Sequence, residues 1–299
     1  VTSSCSNQSL EAGEALAGTG LDAIRRWLVV EVAETWGRKP PKDADLPETV
    51  ITWLQSLDPV PHTRLQFIRQ PGRDTAAGRD VYVVHTEAGA WRVWRRHVAA
   101  WSEVMSSSMS ELLNAPGEHG FVPHAEPLYL VCTHGKRDPC CARLGMPVYS
   151  ALESLRPDQT WQSSHTGGHR FAANVIALPL GFSYGRVEVS EVPHLIQATD
   201  SGEIHSLDNL RGQCAWDRHA QAAEIFVRRG EASLGHRDWT WHATVELEGG
   251  GVKVGVADAS GALRWIGVEA IPTGTQVEPT CDCGDFKDVI RFECRVLDA

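Results

Sequence analysis

The sequence predicts a mixed α/β (α+β) protein, and three observations carry that reading. Apolar runs of strand length alternate with stretches of helical spacing through the first part of the chain. A compact strand, Leu128–Val131, leads to a strong helix start at Asp138-Pro139. The tail from Trp239 alternates with period two between glycine turns, which is β-meander chemistry. They suggest three regions: an N-terminal α/β region (1–122), a central α/β module (123–234) and a C-terminal β-rich extension (235–299).

Trp27–Val32 is mostly apolar and predicts a buried strand. Trp36-Gly37-Arg38-Lys39-Pro40-Pro41 must be loop, because glycine and two prolines break either ladder. Val50, Trp53, Leu54 and Leu57 share one face of a helix over 46–57. Strands are expected at 65–68, 81–84 and 91–94, the last two joined by a hairpin-length connection, and then a helix at 102–114. In the central module, Leu128–Val131 runs directly into Cys132, and the helix from Pro139 extends to Ser154. Further strands are expected at 161–164, 174–178 and 184–189, and a helix at 215–229. That order is what a small thioredoxin-like module would give.

Composition excludes several classes. Lys+Arg number 28 against 38 Asp+Glu, a net charge of -10, which argues against a general nucleic-acid binder. No run approaches the ~18 apolar residues of a membrane span. The opening residues lack a basic start followed by an apolar stretch, so no secretory signal is expected and the expected compartment is a reducing cytoplasm. Eight cysteines in 299 residues are too few for a disulfide scaffold, and clustered cysteines in that compartment point to metal or redox chemistry. There is no C-x-x-C and no recognisable glycosidase carboxylate pair.

The informative constellation is Cys132-Thr133-His134-Gly135-Lys136-Arg137-Asp138-Pro139-Cys140-Cys141, then His165-Thr166-Gly167-Gly168-His169. Thiolate and imidazole are the side chains that ligate zinc or iron, and here each type is at least doubled. Gly167-Gly168 allows the tight turn that brings two histidines together. Lys136, Arg137 and Arg170 would offset the charge of a thiolate-ligated group. Spacing leans toward an iron–sulfur cluster over zinc without choosing between them. A structural zinc site and a cysteine-based redox sensor acting through Cys140 or Cys141 are the competing readings.

The segment Cys132-x4-Arg137-Asp138-x2-Cys141, then His165-Thr166-Gly167-Gly168-His169-Arg170-Phe171-Ala172-Ala173-Asn174-Val175 and Tyr184-Gly185-Arg186-Val187, closely resembles the sucrase/ferredoxin-like family. Cys5-Ser6, Gly13-Glu14-x-Leu16-Ala17-Gly18-Thr19 and Trp27–Glu31 resemble the N-terminal part of bacterial members, so the similarity spans roughly residues 5–230. The resemblance implies a thioredoxin-like ferredoxin domain whose [2Fe–2S] cluster is ligated by Cys132, Cys141, His165 and His169. Thr166, Ser164 and the amides of Gly167 and Gly168 would donate to its sulfurs. Cys140 departs from the family pattern and is expected to be an inert small residue.

The resemblance also implies single-electron transfer with a redox partner protein, a flavoprotein reductase being the natural type. Imidazole ligation should make reduction easier than in an all-cysteine ferredoxin. Electron uptake would be coupled to protonation of His165 or His169, and a potential flat from about pH 6 to about pH 10 would contradict this. Neither nucleic acid nor membrane is an expected partner. Cys281, Cys283 and Cys294 are read as incidental thiols and the tryptophans as core. His134 is read as an exposed loop residue, Arg95-Arg96-His97 as a solvated strand end, and Gly249-Gly250-Gly251 as a turn.

Overall fold

The computed structural model describes residues 4–73, 75–248, 250–281 and 283–297. Gly249 of the glycine turn and Asp282 beside Cys281 lie outside the described residues. In chain order the elements are α1 (Cys5–Glu11), β1 (Arg26–Glu31), α2 (Glu48–Gln55), β2 (Thr63–Arg69), β3 (Arg79–His85) and β4 (Arg92–Val98). Next come α3 (Ser102–Met105), α4 (Met109–Asn114), β5 (Val122–His124), β6 (Leu128–Cys132), α5 (Pro139–Leu155), β7 (Thr160–Ser163) and β8 (Val175–Leu178). The remainder is β9 (Phe182–Tyr184), α6 (Val192–Asp200), β10 (Leu210–Gln213), α7 (Arg218–Glu231), β11 (Trp239–Glu246), β12 (Val252–Asp258), β13 (Leu263–Val277) and β14 (Lys287–Val296).

This is an α+β protein, as the sequence predicts. The chain divides into two compact units, Val1–Ala23 with Gly167–Val175 and Phe182–Ala299, and Ile24–Thr166 with Ile176–Gly181. In the second unit the strand order is β8-β6-β7-β2-β1-β3-β4-β5. β6 and β7 are parallel, as are β1 and β2, while β2 with β7 and β1 with β3 are antiparallel. β1 is buried along nearly its whole length because it is a central strand, which explains the mostly apolar run. Its core joins Leu28 and Val30 with Trp53 and Leu54 of α2 and Leu112 and Leu113 of α4.

Two expectations are corrected in this unit. The helix read over 102–114 is two helices, because Ser108 caps a new one through a capping box with Glu111. Arg95 and His97 are not simply solvated. Both bond the carboxylate of fully buried Asp80, with Arg95 Nε at 3.0 Å and His97 Nδ1 at 3.0 Å, and Arg73 joins them. Burial pushes the Asp80 pKa up, but the bonds from Arg95, His97 and Arg73 outweigh it and hold the carboxyl below its ordinary value.

In the first unit β11 to β14 form an antiparallel meander in that order, in agreement with the period-two reading of the tail. α7 buries Ala220, Ala223 and Val227 in a core with Val254, Val256 and Ile266 of that sheet. Trp239 is buried there and Trp241 packs against the same cluster, so these tryptophans are core, as expected. The strand expected over 184–189 stops at Tyr184 and pairs antiparallel with β10. Among the described residues no helix is long and apolar enough to cross a membrane.

His85 is buried, and its Nε2 donates to the Leu113 carbonyl at 2.8 Å. Burial pushes its pKa down, the Leu113 bond only partly opposing this. The unfolded chain therefore binds this proton first. The contribution to stability is whole above about pH 6.5 and is lost as pH falls through the folded value. His85→Gln, which keeps a donor near Leu113, should show a smaller fall in urea midpoint between about pH 7.5 and about pH 5 than the parent. An equal fall in both proteins would contradict the assignment.

Candidate metal centre

β6 and β7 run parallel with Cys132 opposite Ser163, so their carboxyl ends deliver Cys132 and, two residues beyond Ser163, His165 to the same edge. After β6 the chain turns through residues 133–137. Asp138 then caps α5, its carboxylate accepting from Cys140 N at 2.8 Å, and Pro139 opens the helix. Cys141 thus lies in the first turn of the helix. The Sγ atoms of Cys132 and Cys141 and a ring nitrogen of His165 all lie within 4.8 Å of one another. Both thiols are buried and His165 is half-buried.

The helix approaches the strand very closely. A β-carbon at Gly145 would lie 2.2 Å from the Cys132 carbonyl oxygen, and one at Gly135 would lie 2.9 Å from Ala142 Cβ. Glycine at 145 is therefore a requirement of the site. The Cys132 thiol sits far below its ordinary range: the hydrogen bond from Cys141 is the largest cause, burial opposes it, and His165 adds to it. Cys141 is pushed up by the same bond and by burial. The pair behaves as one thiolate accepting a proton from one thiol. A soft cation that displaced this proton would gain two sulfur ligands at once.

His134 is the residue that sequence reasoning misjudged. It is only 4% exposed. Its Nδ1 accepts from the His165 backbone N–H at 3.2 Å, so its Nε2 carries the hydrogen and donates to the Gly37 carbonyl at 2.8 Å. Burial pushes its pKa down, consistent with that neutral tautomer. The His165 carbonyl in turn accepts from Arg64 Nη2 at 2.7 Å, so the backbone of His165 is gripped on both sides. The Ser164 hydroxyl faces β2, accepting from Phe67 N at 3.1 Å and Gln66 Nε2 at 2.8 Å, which leaves its own O–H to donate.

Gly167, Gly168 and His169 belong to the first unit. Both glycines have positive φ, +81° and +64°, and a β-carbon on Gly168 would meet Arg211 Nη2 at 2.4 Å. Arg211 is 2% exposed and donates to the Gly167 carbonyl at 3.1 Å and to Asn174 Oδ1 at 2.8 Å, while Asn174 Nδ2 donates to the Gly168 carbonyl. Arg211 is thus a buried organiser of the glycine turn, and its place in a short strand of mixed composition carries no sequence signal. His169 is buried, and its Nε2 bonds Thr280 Oγ1 at 3.0 Å. Arg170, expected to offset cluster charge, instead forks onto Glu14, with Nη2 at 2.7 Å.

Of the predicted ligands, the described structure groups Cys132, Cys141 and His165, and His169 is not a member of that group. Cys140 is buried. Within the first unit Cys281 meets Cys5, Sγ to Sγ 3.3 Å, a pairing across the length of the chain that spacing could not reveal. Exposed Cys283 bonds the Asp285 carbonyl, and burial pushes the Cys294 thiol up to about 11.

A donor set of two sulfurs and an imidazole suits a transition metal. Two buried hydroxyls adjoin it in sequence, Thr133 Oγ1 after Cys132 and Thr166 Oγ1 after His165, and neither has a hydrogen-bond partner among the described residues. Such donors fit a group whose own atoms accept hydrogen bonds. Fold and site together define an α+β protein with a Cys/His group able to hold a metal ion. The sucrase/ferredoxin-like family matches residues 18–212, more than half the chain, and the chain belongs to that family. Over 95 residues it is 32% identical to "Altered inheritance of mitochondria protein 32" of Meyerozyma guilliermondii. The matched stretch is 28% of this chain and 34% of that protein, so the chain spans about a third of the relative's length. No solved structure matches the chain.

Gly145→Ala should force α5 off β6, costing about 1–3 kcal/mol by overpacking and lowering the metal content of the purified protein. Gly230→Ala, on a helix position with nothing near its added carbon, is the control. Unchanged metal content and melting temperature in Gly145→Ala would contradict so close an approach of helix to strand.

Proposed function

We propose that the protein is a single-electron carrier whose [2Fe–2S] cluster would be held by Cys132, Cys141, His165 and His169. The observation that carries the reading is the convergence of two buried thiols and a half-buried imidazole in one group. His169 enters from the family pattern: four residues beyond His165, it is within a chain reach of about 14 Å. Its Nε2 is engaged by Thr280, so Nδ1 would be the ligating atom. When bound, the cluster would supply a one-electron couple at a higher potential than all-thiolate ligation gives.

The chain's own residues supply the rest. Asp138 and the first turn of α5 present Cys141. Neutral His134 and Arg64 fix the backbone of His165. Thr133 and Thr166 bring hydroxyl donors. The half-buried edge of His165 is the point at which solvent or a redox partner would reach the centre, and a flavoprotein reductase would suit as that partner. Cys140, only 1% exposed, is poorly placed to serve as a reactive thiol sensor.

Anaerobically purified protein should be red-brown, carry two irons and two acid-labile sulfides per chain, and bleach with dithionite. Cys132→Ser, Cys141→Ser and His165→Ala should each lose most of the iron, while Cys140→Ser keeps it. A colourless protein holding one zinc per chain would overturn the cluster in favour of a structural site. Iron lost on replacing Cys140 and kept on replacing Cys141 would overturn the ligand assignment.

A further inference from the structure

Three separate segments of the second unit contribute cationic residues to the lining of one cavity of about 340 Å³. The 37–41 loop brings Arg38 and Lys39, the start of β2 brings Arg64, and the turn before α5 brings Arg137. Asp58 is the single acidic residue lining it, and His165 lies on its wall. Four cations against one carboxylate run counter to a chain of net charge -10, so the basin is a local inversion of the protein's field. Among the described residues no carboxylate forms an ion pair with Arg38, Lys39 or Arg137. Arg64 is oriented in advance, its Nε donating to Gln66 Oε1 at 3.0 Å and its Nη2 to the His165 carbonyl.

We infer that this cavity binds a small oxyanion, the phosphate or carboxylate group of a low-molecular-weight ligand, beside His165. Guanidinium groups recognise both groups through paired N–H donors, and Arg64 loses little freedom on binding because it is already held. The volume falls at the lower end of the small-molecule range. A cavity lined by cations from three segments suits a compact anion better than the flat acidic face of a protein. The site uses residues distinct from Cys132 and Cys141, and its existence does not depend on which metal they hold.

The test is isothermal titration of the full chain, as purified, with inorganic phosphate and with citrate at low ionic strength, chloride serving as the screening control. Saturable binding of either anion, at millimolar or tighter affinity, is the expected result. Stronger phosphate binding assigns a phosphate-bearing ligand, and stronger citrate binding a polycarboxylate. The double variant Arg38→Gln/Arg137→Gln should bind at least tenfold more weakly. Lys42→Gln, which removes an exposed charge from outside the lining, should bind as the parent does. No saturable heat from either anion overturns the inference, as does affinity unchanged in the double variant. Binding of polyglutamate while both small anions fail would overturn it in favour of an acidic protein surface.

Discussion

The close contact of α5 with the end of β6 sets the rest of the centre. With no side chain at Gly145, the helix backbone lies against the Cys132 carbonyl, and the first helical turn then puts the Cys141 sulfur within reach of Cys132. The separation of eight residues between the two cysteines is the length needed to leave a strand, turn, cap a helix and come back to the strand end. A buried dithiol so formed cannot ionise twice without a counter-cation, because each further charge in an apolar interior is costly. Displacement of its shared proton by a metal removes that cost, so the packing contact and the metal chemistry are one problem.

His165 is positioned by different means. It lies just past a parallel strand whose register with β6 is fixed, and its peptide groups are tied by His134 on one side and Arg64 on the other. The residue stays half-buried while its backbone is clamped. His134 serves as a neutral hydrogen-bonding bridge, which depends on one tautomer, and burial keeps that tautomer by disfavouring the imidazolium. Beyond Thr166 the turn depends on positive-φ glycines packed against a buried guanidinium, where any side chain on Gly168 would collide with Arg211.

Much of this is legible in the sequence because local chemistry and tertiary structure agree. Leu128–Val131 is apolar on both faces because β6 is interior, and Asp138-Pro139 caps a helix that the fold uses. The alternation of the tail matches a meander with one covered face. The family resemblance points to Cys132, Cys141, His165 and His169, and the structure groups the first three without His169. The illegible part depends on contacts between distant segments. Neither the role of His134 toward Gly37, nor that of Arg211 toward Gly167, nor the meeting of Cys5 with Cys281, leaves a periodic trace. A surface strand end and a strand end bonded to a buried carboxylate read alike, as Arg95-Arg96-His97 and Asp80 show.

Mixed sulfur and imidazole ligation is the central claim, and pulsed electron paramagnetic resonance of dithionite-reduced protein tests it most directly. Protein grown with nitrogen-15 histidine should show hyperfine couplings from two directly bound imidazole nitrogens, one of them lost in His165→Cys. A reduced spectrum with no strongly coupled histidine nitrogen would contradict the account.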